Sequence, residues 1–543
     1  MLFFNKNFDI IYIKVMKITS NKSLKEIKGE NIMMNTNSFL NQMIKDSNIT
    51  RTENGGLTRK STESKVLDMF AMGGSYRNRS DRDVILLFKN AFEEDCLLAM
   101  KCLFYLRDVR GGQGERRFFR TAFRWLCNEY PQVAKANLEN VSEYGRWDDL
   151  IYVAESTPVQ TAAFNIIKHQ LALDIQCKTP SLLAKWMPSQ NASNADTKRL
   201  GHILANFLGM TSREYRKTLS VLRERINVLE RLMSANRWDE IEFDKIPSKA
   251  GLVYRNAFAR RDILAKKYEA FAKSKDTKVN AETLYPHEIA HEAFGWKMRN
   301  SNLDNTERLM LQKYWDNLKD FYNSREENGI AVVDVSGSMT GTPMEVAVSM
   351  GAYIADKAHG PFANHFITFS SHPELVEFEG VDIVDKLNRC VQADWGMNTN
   401  VQAVFDMLLN TAKKNGVKAE DMPTRIYIFS DMEFDSCVSF DNPPYHAHST
   451  WDWRSCNHIH SIKEANSDLE EIKREWNRCG YQMPSVIFWN LDARNNHIPA
   501  IGDGFSYVSG FSPSMIDCIL SGKDGYDLML EKLMSKRYAA VTA

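Results

Sequence analysis

Asp334, Ser336 and Ser338 alternate along the run Asp334-Val335-Ser336-Gly337-Ser338, placing one carboxylate and two hydroxyls on a single short loop. Small hard cations such as Mg²⁺ take oxygen ligands in near-octahedral geometry and retain several waters, so the donor type suits them. Two other stretches can complete such a cage. Thr399, within Met397-Asn398-Thr399-Asn400, offers a third hydroxyl, and Ser430-Asp431 brings a second carboxylate. The simpler alternative is local: helix caps at Ser336 or Ser338 and a turn at Asp431.

A sheet can bring three loops so far apart in sequence to one place. Residues 330–333 are wholly apolar and lead into Asp334, and residues 425–429 lead into Ser430-Asp431, so both read as buried strands. Further strands are expected at 365–370, 485–490 and 505–509, with helices near 343–358, 400–415, 461–479 and 513–521. Alternating strand and helix gives a doubly wound, mostly parallel α/β sheet, whose ligands bind beyond the carboxyl ends of the strands.

These three loops, in this order, resemble the metal-ion-dependent adhesion site (MIDAS) of von Willebrand factor A domains. The resemblance implies direct ligation by Ser336 and Ser338, a contribution from Thr399, and Asp334 and Asp431 acting largely through water. It also implies an acidic protein ligand whose Glu or Asp completes the coordination of Mg²⁺ or another divalent cation.

The amino-terminal half follows a different period. Residues 1–64 read as a flexible extension, polar from 35 to 65 with Gly55-Gly56, and Met33 or Met34 is a candidate start. From 65 to about 322, apolar residues recur at three- and four-residue spacing, broken at Gly111-Gly112, Pro131, Pro180, Pro188 and Pro247. Successive helix pairs of this kind predict an α-solenoid or helical array over 65–325, followed by the sheet domain over 326–543. Tyr144-Gly145-Arg146-Trp147-Asp148-Asp149 is echoed by Ala235-Asn236-Arg237-Trp238-Asp239-Glu240, which reads as a repeated packing and capping unit.

The helical half carries distinctive runs: residues 103–117 around Arg107-Asp108-Val109-Arg110-Gly111-Gly112-Gln113-Gly114, then Leu183-Ala184-Lys185-Trp186-Met187-Pro188, and Met233-Ser234-Ala235-Asn236-Arg237-Trp238. Together they resemble a family, met mainly in plants, microbes and large DNA viruses, that joins a helical module to a carboxyl-terminal A domain. Its helical module and domain order are in turn similar to the TROVE proteins, the Ro ribonucleoproteins. That resemblance implies a HEAT-like or TROVE-like ring or horseshoe binding small structured or misfolded RNA.

Charge points the same way. The 543 residues carry 69 bases and 69 acids, yet residues 326–543 hold 17 bases against 30 acids, leaving 52 against 39 for residues 1–325. Within 198–275 the count is 18 against 9. A basic module suits an anionic polymer, since neutralising phosphates releases counterions; attraction between the two halves is the alternative. Candidate RNA contacts are Lys185, Arg199, Arg213, Arg216, Lys217, Arg223, Lys245, Lys249, Arg255, Arg260 and Arg261, with Tyr215 and Tyr254 placed to stack on bases.

Two patterns imitate zinc sites. His287-Glu288-Ile289-Ala290-His291 satisfies H-E-x-x-H, but Gly295 falls one residue late for the metzincin continuation, and a third ligand such as Glu307 has to be chosen arbitrarily. His446, His448, Cys456, His458 and His460 cluster in a tryptophan-rich insertion without a finger spacing. No P-loop and no nucleophile–base set is present. Nine scattered cysteines suggest reduced thiols, and residues 1–34 lack a secretory cleavage site. The expectation is therefore a monomeric, cytoplasmic, non-enzymatic protein that binds RNA and, through a metal site, an acidic protein, without contacting a membrane. A protein–protein scaffold that needs no RNA is the first alternative, and a zinc hydrolase using His287, Glu288 and His291 the second.

Overall fold

The apolar runs after Asn328 are buried on both faces, as a sheet covered by helices on each side requires. In the computed structural model, which describes residues 47–294, 303–323, 325–369, 372–392, 399–435 and 467–543, they form a six-stranded sheet. Its strands are β1 (Gly329–Asp334), β2 (His365–Phe369), β3 (Leu375–Glu377), β4 (Arg425–Ser430), β5 (Ser485–Asn490) and β6 (Phe505–Ser509), in the order β3-β2-β1-β4-β5-β6. All neighbours are parallel except β2 and β3. The chain leaves β1 for β2 on one side and returns to β4 on the other, so the strand order reverses between β1 and β4. That crevice, at the carboxyl ends, is where such sheets bind ligands.

Five of the six strands stand where the apolar runs predict them. The sixth, β3, has three residues with exposed or half-exposed side chains, too short and too polar to announce itself. The helices Thr342–Lys357, Val401–Asn415 and Asp468–Arg478 pack the sheet's faces, and Ile383–Gln392 is an addition to the expected set.

Contacts divide the chain into two units: Arg51–Trp451 with Asn466–Ala543, and Met1–Thr50 with Asp452–Ala465. Only residues 47–50 of the latter are described. In the former, helical half and sheet are packed together. Helix Lys65–Met72 lies on β6, where Gly74 donates its N–H to Ser509 Oγ at 2.9 Å and Ser509 Oγ donates to Phe70 O at 2.9 Å. A Cβ on Gly74 would come within 2.5 Å of Ser509 O, so this close approach needs glycine.

The Gly-rich turn after Arg107 is a second joint. Asp108 takes a forked pair from Arg537 and a hydrogen bond from Tyr538 Oη at 3.1 Å, while Ser514 Oγ donates to Gly112 O at 3.0 Å. The two halves also share ion pairs, Arg59–Glu470 at 2.8 Å and Arg308 with Asp382 and Asp385 at 2.7 Å, so part of the charge asymmetry holds the halves together. The tryptophan echo does not repeat structurally. Trp147 opens the helix Trp147–Ala154, with Asp149 accepting from Arg146 N at 2.9 Å, whereas Trp238 sits buried in the 3₁₀ turn Trp238–Glu240.

Candidate functional site

The β1 loop, the β4 loop and the segment before Val401 meet at the carboxyl edge of the sheet. Asp334, the last residue of β1, is fully buried; its Oδ1 accepts from Ser336 N at 2.9 Å and its Oδ2 from Ser430 Oγ at 2.6 Å. Ser336 and Ser338 hydroxyls lie 2.9 Å apart. Neither side chain caps the following helix, whose N-cap is Gly341, so the capping alternative falls away. The Ser338 hydroxyl favours the ionised form of Asp431, which accepts from Glu433 N at 3.2 Å and pairs with Arg494 Nη2 at 2.8 Å. Asp334, Ser336, Ser338 and Asp431 thus form one polar cluster.

Thr399 is attached differently. It is buried, and its hydroxyl donates to Glu433 O at 2.9 Å, lies 3.0 Å from Asp435 Oδ1 and accepts from Asn54 Nδ2 at 3.0 Å. It therefore stands against the same 431–435 loop but is bonded to that loop's far end, not to the serine pair. Met432 takes φ of 67°, a left-handed conformation that costs a non-glycine residue about 1 kcal/mol or more, and its N–H is held by Ser430 Oγ at 3.0 Å. This strained turn carries Asp431 inward and Glu433 away from it.

Burial, and after it the neighbouring Asp431, pushes the Asp334 carboxyl well above the ordinary carboxylate range. Burial raises Asp431 as well. Two carboxylates sharing a dry site with hydroxyl donors, with Arg494 beside one of them, are a donor set that a divalent cation satisfies. Sequence reasoning gave Ser430 no role of its own and missed Glu433, Arg494 and Asp492, together with Glu53 and Asn54 from the far end of the chain. Asp492, raised by burial and by Asp431, is a third carboxylate beyond a strand end. Its place after the apolar run 486–491 was the available signal; Glu53 and Asn54 gave none. Glu433 is buried too, but hydrogen bonds from His497 and Glu53 N outweigh that burial and hold it below the ordinary range.

The basic residues disperse. Lys185, Arg216, Arg223 and Lys249 line one cleft of about 970 Å³, with Arg231, Trp186 and Tyr254. Arg223 is built into its wall, donating to Ala184 O, Met187 O and Ser189 Oγ at 2.8–3.0 Å. Tyr215 is buried with its hydroxyl on Pro188 O at 2.9 Å, so it is a core residue and no stacking platform. Arg255 is buried against Glu292, Lys245 pairs with Glu242, Arg199 with Glu155, and Arg261 covers Trp238 at 4.5 Å. These four are therefore tied up by neighbours, because a basic helix surface in a folded chain finds local carboxylates and rings first. Lys217 faces a smaller cleft with Arg225, and Arg213 and Arg260 are exposed outside both.

The zinc-like motif is not assembled. Among the described residues no group of three His, Cys, Asp or Glu is placed to hold a metal. Glu288 accepts from Tyr285 N at 3.2 Å and pairs with Lys249, His291 pairs with Glu345 at 2.8 Å, and Glu307 accepts from Asp304 N at 3.1 Å. His287 is buried, edge-on to Phe511 at 5.2 Å. The cluster His446, His448, Cys456, His458 and His460 lies outside the described residues.

Burial, with the positive charges of Arg77 and Lys249, pushes His287 down to about 3. Its ordinary value is about 6.5, so between those values the unfolded chain takes up a proton that the fold refuses. The resulting stability is fully present above about pH 6.5 and is lost as pH falls toward 3. Between pH 7 and 5 the loss is about 2 kcal/mol. Urea unfolding at the two pH values should show His287→Phe flattening that part of the slope.

No described helix is long and apolar enough to cross a membrane. Comparison with known proteins places two family models on the chain, both described as domains of unknown function: DUF2828 over residues 52–158 and 165–323, and DUF7788 over 328–539. An uncharacterised protein of Acanthamoeba polyphaga mimivirus is 30% identical over 525 residues, covering 88% of this chain and 86% of its own. The crystal structure of the Ro (RSR) protein of Deinococcus radiodurans aligns over 87% of this chain and 99% of its own at 12% identity and a TM-score of 0.41, too loosely to transfer any property. At 30% identity over 88% of its length, the chain belongs to the family of the mimivirus protein.

Proposed function

We propose that this is a non-enzymatic binding protein with two sites: a divalent-cation site of MIDAS type at the sheet edge that captures an acidic protein partner, and a basic cleft in the helical half that binds RNA. The observation that carries the first is the buried Asp334–Asp431 pair facing the Ser336 and Ser338 hydroxyls. In this reading Ser336 and Ser338 hold the ion directly, and Asp334 and Asp431 hold its waters, with Thr399 fixing the 431–435 loop. The ion supplies a Lewis-acidic position at which a partner Glu or Asp binds. Arg494, beside Asp431, is placed to receive that partner's second oxygen.

The second site rests on the cleft. Lys185 and Arg216 have no carboxylate partner among the described residues, and Trp186 and Tyr254 are half-buried beside them. Cations with aromatic faces suit a single strand, whose phosphates and bases can be held together. Fluorescence anisotropy with a labelled single-stranded RNA should show affinity falling steeply with salt. Lys185→Glu with Arg216→Glu should weaken binding at least tenfold and reduce the log–log salt slope by about 1.4, roughly 0.7 for each phosphate left without its cation. RNA affinity indifferent to both changes would favour the scaffold reading, which the internal pairing of Arg199, Lys245 and Arg255 already supports.

A further inference from the structure

We propose that the turn of residues 52–56 is an internal strap that opposes ligand binding at the sheet-edge site, with Arg494 as the latch. The inference rests on the metal-site reading above.

The strap is a closed turn. Thr52 N donates to Gly56 O at 2.9 Å and Gly55 N to Thr52 O at 3.1 Å, with Gly55 at φ of 90°. Every polar residue in it is bonded to the segment that carries Asp431. Thr52 Oγ1 donates to Phe434 O at 2.5 Å, Glu53 N to Glu433 Oε2 at 2.8 Å, and Asn54 Nδ2 to both Glu433 O at 2.7 Å and Thr399 Oγ1 at 3.0 Å. Gly56 lies so close that a Cβ there would meet Phe434 O at 2.7 Å. The turn is separated from this loop by some 380 residues of chain and links the short paired strands Ile49–Arg51 and Leu57–Arg59, the second of which is itself tied to Ile498 and Glu470.

Arg494 joins the strap to the site. Nη2 pairs with Asp431 Oδ2 at 2.8 Å, while Nη1 pairs with Glu53 Oε2 at 3.2 Å; Asn495 Nδ2 donates to Glu53 Oε1 at 2.8 Å. One guanidinium therefore supplies Asp431 with the positive charge a cation would supply, and is itself held there by Glu53. A divalent ion beside Asp431 repels that guanidinium across a poorly screened distance. As the guanidinium swings from Asp431 toward the position of the partner's carboxylate, Glu53 loses its ion pair and the strap one of its anchors. Glu53 also offers the same carboxylate chemistry as an incoming acidic partner and competes for Arg494. By linkage, whatever the ion does to the strap the strap does to the ion.

The test uses the full chain. Mg²⁺ affinity is measured by calorimetry for the unaltered protein, for Glu53→Gln, and for Glu53→Gln with Asn54→Ala; both positions are exposed, so the fold should tolerate them. Hydrogen exchange of residues 52–58 is followed with and without saturating Mg²⁺. The strap variants should bind Mg²⁺ about 10-fold more tightly, and Mg²⁺ should speed exchange in 53–56 of the unaltered protein while β1 stays protected. Equal affinities with unchanged exchange, Mg²⁺ still binding, would overturn the strap and leave the site standing. Absence of Mg²⁺ binding in all three proteins would overturn both.

Discussion

Asp334→Asn is expected to lower Mg²⁺ affinity by about 10- to 100-fold, the range for losing a group that orients a metal site from behind its direct ligands. The substitution keeps the shape and an oxygen to accept from Ser336 N, turns the bond with Ser430 Oγ around so that the amide donates, and removes the charge. Because burial and Asp431 oppose ionisation of Asp334, the metal-free variant should be no less stable than the parent at pH 8. Loss of binding with retained stability separates a metal role from a packing role. Calorimetric titration and urea unfolding of the same two proteins measure both; unchanged Mg²⁺ affinity in Asp334→Asn would remove Asp334 from the site.

Arg107→Ala should be the most destabilising change in the helical half. Arg107 and Asp149 are both buried, with Nε and Nη2 of the arginine 2.9 and 2.6 Å from Asp149 Oδ2. Arg120 Nε reaches Asp149 Oδ1 at 2.6 Å, and its Nη2 reaches Asp148 at 2.8 Å. Burial alone would raise Asp149, yet the two arginines outweigh it and hold the carboxyl below its usual range. Gly145 is required here, since a Cβ would stand 2.6 Å from Asp149 Oδ2. Breaking a buried pair costs about 3–5 kcal/mol, and the remaining Arg120–Asp149 pair places Arg107→Ala toward the lower end of that range. The midpoint of urea unfolding should fall accordingly.

What the sequence made legible was local. Apolar runs ending in polar residues located β1, β4, β5 and β6, and the residues closing β1 and β4 include the two central carboxylates. Alternation along Asp334, Ser336 and Ser338 put three oxygens on one loop without any knowledge of the sheet. The pieces from a distance were not legible: Arg494, Glu53 and Asn54 reach the site only because the chain folds back upon it. The fate of the basic residues was hidden for the same reason. Composition counts charges but not partners, so Arg223, embedded among carbonyls, and Arg255, buried against Glu292, looked equivalent to Arg216. The H-E-x-x-H motif placed its residues on a helix as expected, but tertiary packing gave each of them another neighbour.

The most direct measurement is an anomalous difference map from crystals of the full chain soaked in Mn²⁺. A single strong peak within bonding distance of both Ser336 Oγ and Ser338 Oγ, with Asp334 and Asp431 facing its remaining positions, is the predicted result. At saturating Mn²⁺, a map without that peak, or with manganese bound at carboxylates elsewhere and the Ser336–Ser338 pair unaltered, would contradict it.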